Sequence, residues 1–306
     1  MGSSRRFEGY RALRSDGKPN FSDRIYRVEG DMERLARKPA IGVSQSTPIK
    51  EALAKMNTEK VRSLVISRGE TYEGILLAEN ILDYMGGGEL YNIVINRYEG
   101  NFFKCLEEPV KSIAEKNYPF VYTNSKLNEV IEKMIQNRVS ILPVLHKDGR
   151  VFGVISEHDI VELLVEKRTG VTVGELSSPI ISIHTYDPII EAMRKIVSLG
   201  IRQIYVRNEV EQIVGSVGVK RIIEYFSSNE VYRWVKKGYL TEANSAQVRE
   251  VTSFNTLKLP ETMDVGEAAR EMLKAGTSTA LVSNGSEEIG MITEHDVFYA
   301  LSFPVK

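Results

Sequence analysis

The 306-residue chain carries 40 Lys+Arg against 41 Asp+Glu, a formal net charge of −1, with 42% hydrophobic residues. That balance argues against a general nucleic-acid or acidic-membrane binder, which carries a basic excess, and the length leaves room for about two ordinary domains. A single cysteine, Cys105, and four scattered histidines supply neither an intramolecular disulfide nor a cysteine zinc cluster. No apolar run approaches the roughly 18 residues of a membrane span, and the polar, basic N-terminus has no secretory h-region. The expectation is a soluble, cytoplasmic protein.

Residues 1–30 hold Arg5, Arg6, Arg11 and Arg14 among Gly, Ser and Pro, with no sustained apolar period. They read as a basic tail or partly ordered arm, solvated by default, with nucleic-acid contact the lesser reading. From about Asp31 the chain repeats itself. Pro48-Ile-Lys-Glu51-Ala, Lys126-Leu-Asn-Glu129-Val, Pro188-Ile-Ile-Glu191-Ala and Asp264-Val-Gly-Glu267-Ala each open a helix with apolar residues at helical spacing. A strand follows each: Ser63–Ile66, Ile141–Val144, Gln203–Val206 and Thr279–Val282. After a turn, a second strand begins at Gly74, Gly153, Gly215 or Gly290, always 23 or 24 residues beyond the helix glutamate. Four units agreeing this closely form an internal repeat. Longer connections at Met85 to Lys116 and Phe226 to Glu250 suggest that unit one pairs with two and three with four. One unit is too small to bury both faces of its sheet.

The most informative stretch is Gly153-Val-Ile-Ser-Glu-His-Asp-Ile-Val161, which recurs as Gly290-Met-Ile-Thr-Glu-His-Asp-Val-Phe298. Two readings stand side by side. Ser156 with Asp159, and Thr293 with Asp296, have the spacing of a capping box. They also have the chemistry of a nucleotide site, because a helix N-terminus favours phosphate and a fixed carboxylate can accept from both hydroxyls of a ribose. Eleven positions after each helix glutamate sit Arg62, Ser140, Arg202 and Ser278. Arginine appears only where the repeat lacks its own hydroxyl–Asp pair. In one reading Arg62 serves the site of Asp159 and Arg202 that of Asp296, gripping phosphate with a planar fork. In the other, both are exposed at a helix-to-strand junction.

Strand, Pro-h-x-Glu-Ala helix, strand, Gly-h-h-Ser/Thr-x-x-Asp and closing helix together resemble the CBS (cystathionine-beta-synthase) domain. The resemblance covers about residues 31–303. Met85-Gly-Gly-Gly-Glu-Leu-Tyr-Asn-Ile-Val94, with Asn101-Phe and Glu108-Pro-Val-Lys111, further resembles archaeal four-repeat proteins similar to the AMP-activated protein kinase gamma subunit. Taken alone, Gly86-Gly87-Gly88 is a helix stop. The resemblance implies an α/β (α+β) fold of four CBS repeats, each a small sheet packed on two helices, arranged as two Bateman modules. Module 1 would span residues 31–167 and module 2 residues 168–306.

It also implies AMP, ADP or ATP bound in clefts between paired repeats, with no catalytic cofactor. Carried over, Ser156, Asp159, Thr293 and Asp296 hold ribose or phosphate. Ile155, Ile292, Ile41 and Ile181 line the adenine, core packing being the alternative for Ile41 and Ile181; Ser177 joins the set. The matching positions in repeats one and three, Asn80 (after Leu77) and Arg221 (after Gly218), are departures, and Arg221 has no acceptor at all. The implied count is two good sites.

His158 and His295 read as solvated first-turn residues rather than catalytic bases, since no nucleophile or metal partner accompanies them. Trp234, Tyr232 and Tyr239 read equally as packing or as an interface patch. Cys105 has no cationic neighbour in sequence to make it a reactive thiolate. The leading expectation is a non-catalytic regulatory protein that senses adenine nucleotides, acts on an unknown partner protein and forms a homodimer through module faces. The alternative is a scaffold for another adenosyl ligand, such as S-adenosylmethionine, or for nucleic acid. A nucleotide-hydrolysing enzyme has no residues to support it.

Overall fold

Apolar residues at helical spacing make each repeat's first helix amphipathic, so it must bury one face. In the computed structural model, which describes residues 20–165 and 168–303, these helices are Ile49–Thr58, Leu127–Asn137, Ile189–Leu199 and Val265–Ala275. Each buries the residues its period marks, such as Val130, Ile131 and Met134 in the second. Each covers a three-stranded sheet. A short strand before the helix pairs in parallel with the strand after it, and that strand turns back as an antiparallel hairpin. The closing helices are Ala78–Leu82, Glu157–Leu164, Val219–Ser227 and Glu294–Ser302. The mixed α/β architecture of four small sheets is therefore the one the resemblance implied.

The hairpin register is the same in all four repeats. Ile66, Val144, Val206 and Val282 stand opposite Gly74, Gly153, Gly215 and Gly290, and each ladder is bulged immediately after that pair. The glycines have a packing reason. A Cβ on Gly74 would lie 2.6 Å from the carbonyl oxygen of Glu115. On Gly153 it would lie 2.3 Å from that of Arg37, on Gly215 2.5 Å from Ser253, and on Gly290 2.9 Å from Ser178. Those four carbonyls belong to the segments leading into other repeats. Residues before repeat 1 lie on the sheet of repeat 2 through the Arg37–Val154 bridge, and residues before repeat 2 lie on repeat 1 through Ile75–Glu115. Repeats 3 and 4 trade leaders in the same way, through Ser216–Ser253 and Ser178–Met291.

The described chain divides into two compact units. Of the described residues, one contains those of 20–40, 119–180 and 257–303, hence the bodies of repeats 2 and 4. The other contains residues 41–118 and 181–256, the bodies of repeats 1 and 3. This division does not follow the chain order of the expected modules, 31–167 and 168–306. The physical reason is the helices. Within the first unit Glu157–Leu164 packs on Glu294–Ser302. Within the second, Val219–Ser227 packs on Ile49–Thr58, and the wide turn Asp83–Gly87 packs on Ile189–Leu199.

Gly86-Gly87-Gly88 is therefore more than a helix stop. Gly86 has φ 134°, and a Cβ there would meet Asn244 Nδ2 at 2.7 Å. One on Gly87 would meet the Met193 carbonyl oxygen at 3.1 Å. Part of the expected tail or partly ordered arm is described and packs on the first unit. Arg5, Arg6, Arg11 and Arg14 lie outside the described residues, but Phe21 and Ile25 are buried in the first unit. The Phe21 ring stacks on Phe303 at 5.5 Å, and the backbone N–H of Ser22 donates to the Ser302 carbonyl at 2.9 Å. The few apolar residues of this segment are too short a pattern to show a period, so only packing reveals their order. Among the described residues no helix is long and apolar enough to cross a membrane.

Candidate functional site

The two Glu-His-Asp stretches stand at the starts of the helices Glu157–Leu164 and Glu294–Ser302. Ser156 and Thr293 occupy the N-cap with extended backbone, as a strand running straight into a helix requires. The capping box is complete in both. Asp159 Oδ2 accepts from the Ser156 backbone N–H at 2.7 Å and from its hydroxyl at 2.6 Å. Asp296 Oδ2 accepts the matching pair from Thr293 at 2.8 and 2.7 Å. Both aspartates are buried. The local reading of this motif is thus correct, and it leaves the second carboxylate oxygen for other partners.

In repeat 2 that partner is Arg37, whose Nε lies 2.8 Å from Asp159 Oδ1. Arg37 arrives on the exchanged leader of repeat 1, and its side chain is 56% exposed against 8% for Asp159. Sequence reasoning missed it, because an arginine more than a hundred positions away carries no local sign of the contact. In repeat 4 the leader residues against the equivalent strand are Ser177 and Ser178. The Ser177 hydroxyl donates to the Gly174 carbonyl at 3.0 Å, and that of Ser178 to the Met291 carbonyl at 3.2 Å. The expected site residue Ser177 therefore sits beside the Gly290 strand that ends in Thr293.

His158 and His295 are first-turn residues with side chains 44% and 33% exposed, and each also reaches a glutamate of the other repeat. His158 Nδ1 is 2.6 Å from Glu294 Oε1, and His295 Nδ1 is 2.6 Å from Glu157 Oε1. The pairs are reciprocal between repeats 2 and 4, and both glutamate side chains are buried. The hydrogen bond that His158 donates to the Glu294 carboxylate holds the imidazole above its ordinary pKa, against the opposing effect of burial. An identical Glu-His-Asp triplet in both copies was the available signal. Sequence spacing alone could not bring position 158 to position 294.

The degenerate repeats use the same position structurally. Asn80 Oδ1 accepts from the Leu77 backbone N–H at 2.9 Å, doing the capping work of an aspartate oxygen, and its amide donates to Glu115 at 3.2 Å. Arg221 donates from Nη2 to Glu230 at 2.8 Å and to the Glu250 carbonyl at 3.1 Å. It borders a cavity of about 140 Å³ with Tyr225, Glu230, Arg233, Trp234 and Glu250. That is below the roughly 300–1,000 Å³ usual for ligand pockets.

Arg62 and Arg202 stand where the alignment puts them. Their carbonyls accept the first N–H of the closing helices, from Ala78 and Val219, at 2.8 and 3.0 Å. The carbonyls of Ser140 and Ser278 accept from Glu157 and Glu294 in the same way. Both arginines belong to the unit of repeats 1 and 3, while Asp159 and Asp296 belong to the other. Ile155 and Ile292 are fully buried in the core of repeats 2 and 4; Ile41 and Ile181 are partly buried against the core of repeats 1 and 3. Cys105 is buried, and burial pushes its thiol up to about 12, which leaves it protonated. Among the described residues no group of three or more His, Cys, Asp or Glu could hold a metal ion.

The CBS domain family model matches residues 31–87, 110–166, 173–228 and 248–303. The chain is 30% identical over 266 residues to an uncharacterised 33.4 kDa protein in the ribosomal RNA operon of Thermofilum pendens, covering 86% of this chain and 88% of that protein. It is 26% identical over 271 residues to the uncharacterised protein MJ1225 of Methanocaldococcus jannaschii, covering 87% and 96%. The crystal structure of MJ1225, described as a candidate archaeal homologue of g-AMPK, aligns with a TM-score of 0.81 at 24% identity, over 88% of this chain and 98% of that one. A conserved uncharacterised protein of Pyrococcus horikoshii aligns with a TM-score of 0.55 at 16% identity, over 89% and 99%. At these identities the two structures establish a shared fold.

Proposed function

Because the chain belongs to the CBS-domain family along four repeats, we propose that it is a non-catalytic regulatory protein whose repeats 2 and 4 bind adenine nucleotides. The observation that carries the reading is the duplicated hydroxyl–Asp pair. In each copy a buried carboxylate is fixed by its own helix cap at one oxygen. Such a carboxylate is already oriented, so a ribose hydroxyl would meet it without an ordering cost. An energy-sensing role in which AMP, ADP and ATP compete follows from the sequence resemblance to proteins similar to the AMP-activated protein kinase gamma subunit. Arg62 and Arg202 are assigned to phosphate on the sequence pattern. Occupancy would then bias the arrangement of the repeats, which a partner could read as a population shift.

Calorimetric titration with AMP, ADP, ATP and adenosine tests this. Asp159→Ala and Asp296→Ala are each expected to remove one site, whereas Asn80→Ala and Arg221→Ala leave the count unchanged. Losing the cap costs about 1 kcal/mol, small beside the roughly 5–15 kcal/mol stability of a domain. Arg62→Ala and Arg202→Ala should weaken ATP roughly 10–150-fold, the value of a charge-assisted hydrogen bond of about 1.5–3 kcal/mol, and adenosine much less. Unchanged stoichiometry in both aspartate variants would sink the assignment. Mass spectrometry of small molecules released from denatured protein separates an adenine nucleotide from S-adenosylmethionine.

A further inference from the structure

The CBS matches leave out residues 88–109 and 229–247, the two longer connections between repeats. Both lie in the unit of repeats 1 and 3, where they meet. The Phe102 backbone N–H donates to the Gly238 carbonyl at 2.8 Å, and that of Leu240 to the Gly100 carbonyl at 2.8 Å. This junction carries four exposed large apolar side chains: Ile95 at 44%, Phe103 at 52%, Tyr232 at 48% and Tyr239 at 49%. They are continuous. Phe103 stacks on Tyr232 at 6.4 Å and 11°, with fully buried Phe102 edge-on beneath both. Phe103 also abuts Gly238, while Tyr239 and Ile95 flank Gly100.

The rim is basic. Lys104, Arg233, Lys236 and Lys237 are exposed, and among the described residues none of them is in an ion pair. The acids nearby are differently engaged. Glu107 pairs with Lys50, and Glu242 accepts the backbone N–H groups of Lys236, Lys237 and Tyr239. Glu99 remains exposed at the Ile95 end. A local basic excess on a chain of net charge −1 is a feature of this face, not of the composition.

We propose that this aromatic strip is a docking surface for an acidic protein segment bearing an aromatic or aliphatic anchor. Aromatic side chains and arginine are the residues that dominate binding energy at protein interfaces, and charge complementarity selects an acidic partner. A single-stranded nucleic acid fits less well, because base stacking needs open ring faces and Phe103 and Tyr232 stack on one another. The proposal stands independently of nucleotide binding.

The test is selection from a random dodecapeptide phage library on the immobilised full chain. Enriched sequences are expected to flank an aromatic or leucine with Asp and Glu. A synthetic peptide of that sequence should lose at least tenfold in affinity on Phe103→Ser/Tyr232→Ser and on Lys236→Glu/Lys237→Glu, and should weaken as salt rises. Circular dichroism checks that the first variant folds, and the second, altering only exposed charges, keeps the test informative if it does not. No enrichment, enrichment without acids, or wild-type affinity for the peptide in both variants would overturn the proposal. So would binding of a 20-mer oligouridylate that the variants abolish while no peptide enriches.

Discussion

The two oxygens of Asp159 have different tasks. Oδ2 caps its own helix and is held by two hydrogen bonds, whereas Oδ1 faces Arg37, a side chain more than half exposed. If Oδ1 is where a ribose docks, Arg37 competes for it. An exposed ion pair is worth about 0–1 kcal/mol, so Arg37→Ala should raise adenosine affinity at the repeat 2 site by no more than about fivefold. Titration of wild type and variant with adenosine measures this directly. A loss of affinity would instead place the guanidinium among the ligand contacts.

At the scale of elements, the leader exchange and the histidine pairs hold the sheets and helices together. The leader before repeat 1 sits on repeat 2 only because residue 153 has no side chain, with a Cβ 2.3 Å from the Arg37 carbonyl oxygen in prospect. Gly153→Ala should therefore destabilise the unit of repeats 2 and 4 by about 1–3 kcal/mol, as overpacking does. It should also expose the Arg37–Lys38 bond to trypsin. Thermal unfolding and a proteolysis time course would show both, and a wild-type cleavage rate would contradict the packing account.

The His158–Glu294 pair makes the same unit sensitive to pH. The folded pKa of His158 is raised, chiefly by its hydrogen bond to Glu294, with Asp159 adding to the effect and burial and Arg37 opposing it. A group raised on folding contributes stability that is full below its unfolded pKa of about 6.5 and is lost as pH rises through the folded value. With the imidazole 44% exposed, screening limits the pair to about 1 kcal/mol or less. The melting temperature should fall by a few degrees between pH 6 and pH 9. Glu294→Gln should flatten that dependence, and an unchanged slope would deny the pair its role.

For the whole molecule, leader exchange and helix packing join different repeats. A fragment of residues 31–165 keeps both leaders of repeats 1 and 2, but it removes the helices of repeats 3 and 4 that cover theirs. Val161 and Leu164, buried in the full chain, lie on the helix that packs against Glu294–Ser302. Repeats 1 and 3, and 2 and 4, are built alike, so a second copy can supply an equivalent surface. The fragment should accordingly dimerise at micromolar concentration. Light scattering decides, and a folded monomer would mean that these helix faces tolerate water.

Local chemistry alone determined a good deal. Helical spacing marked the four amphipathic helices, the 23- or 24-residue interval from glutamate to glycine marked the repeats, and Ser-x-x-Asp marked a capping box that also resembles a nucleotide motif. These signals are legible because they act over one or two turns, within reach of a single helix or hairpin. Tertiary structure alone decided the rest. Arg37 reaches Asp159, Glu294 pairs with His158, Phe21 stacks on Phe303, and four glycines accept the backbone of another repeat's leader. Each of these contacts joins residues roughly 40 to 280 positions apart, and neither side chain periodicity nor local capping carries information over that distance. Only the burial of one repeat's apolar helix face against another brings them together.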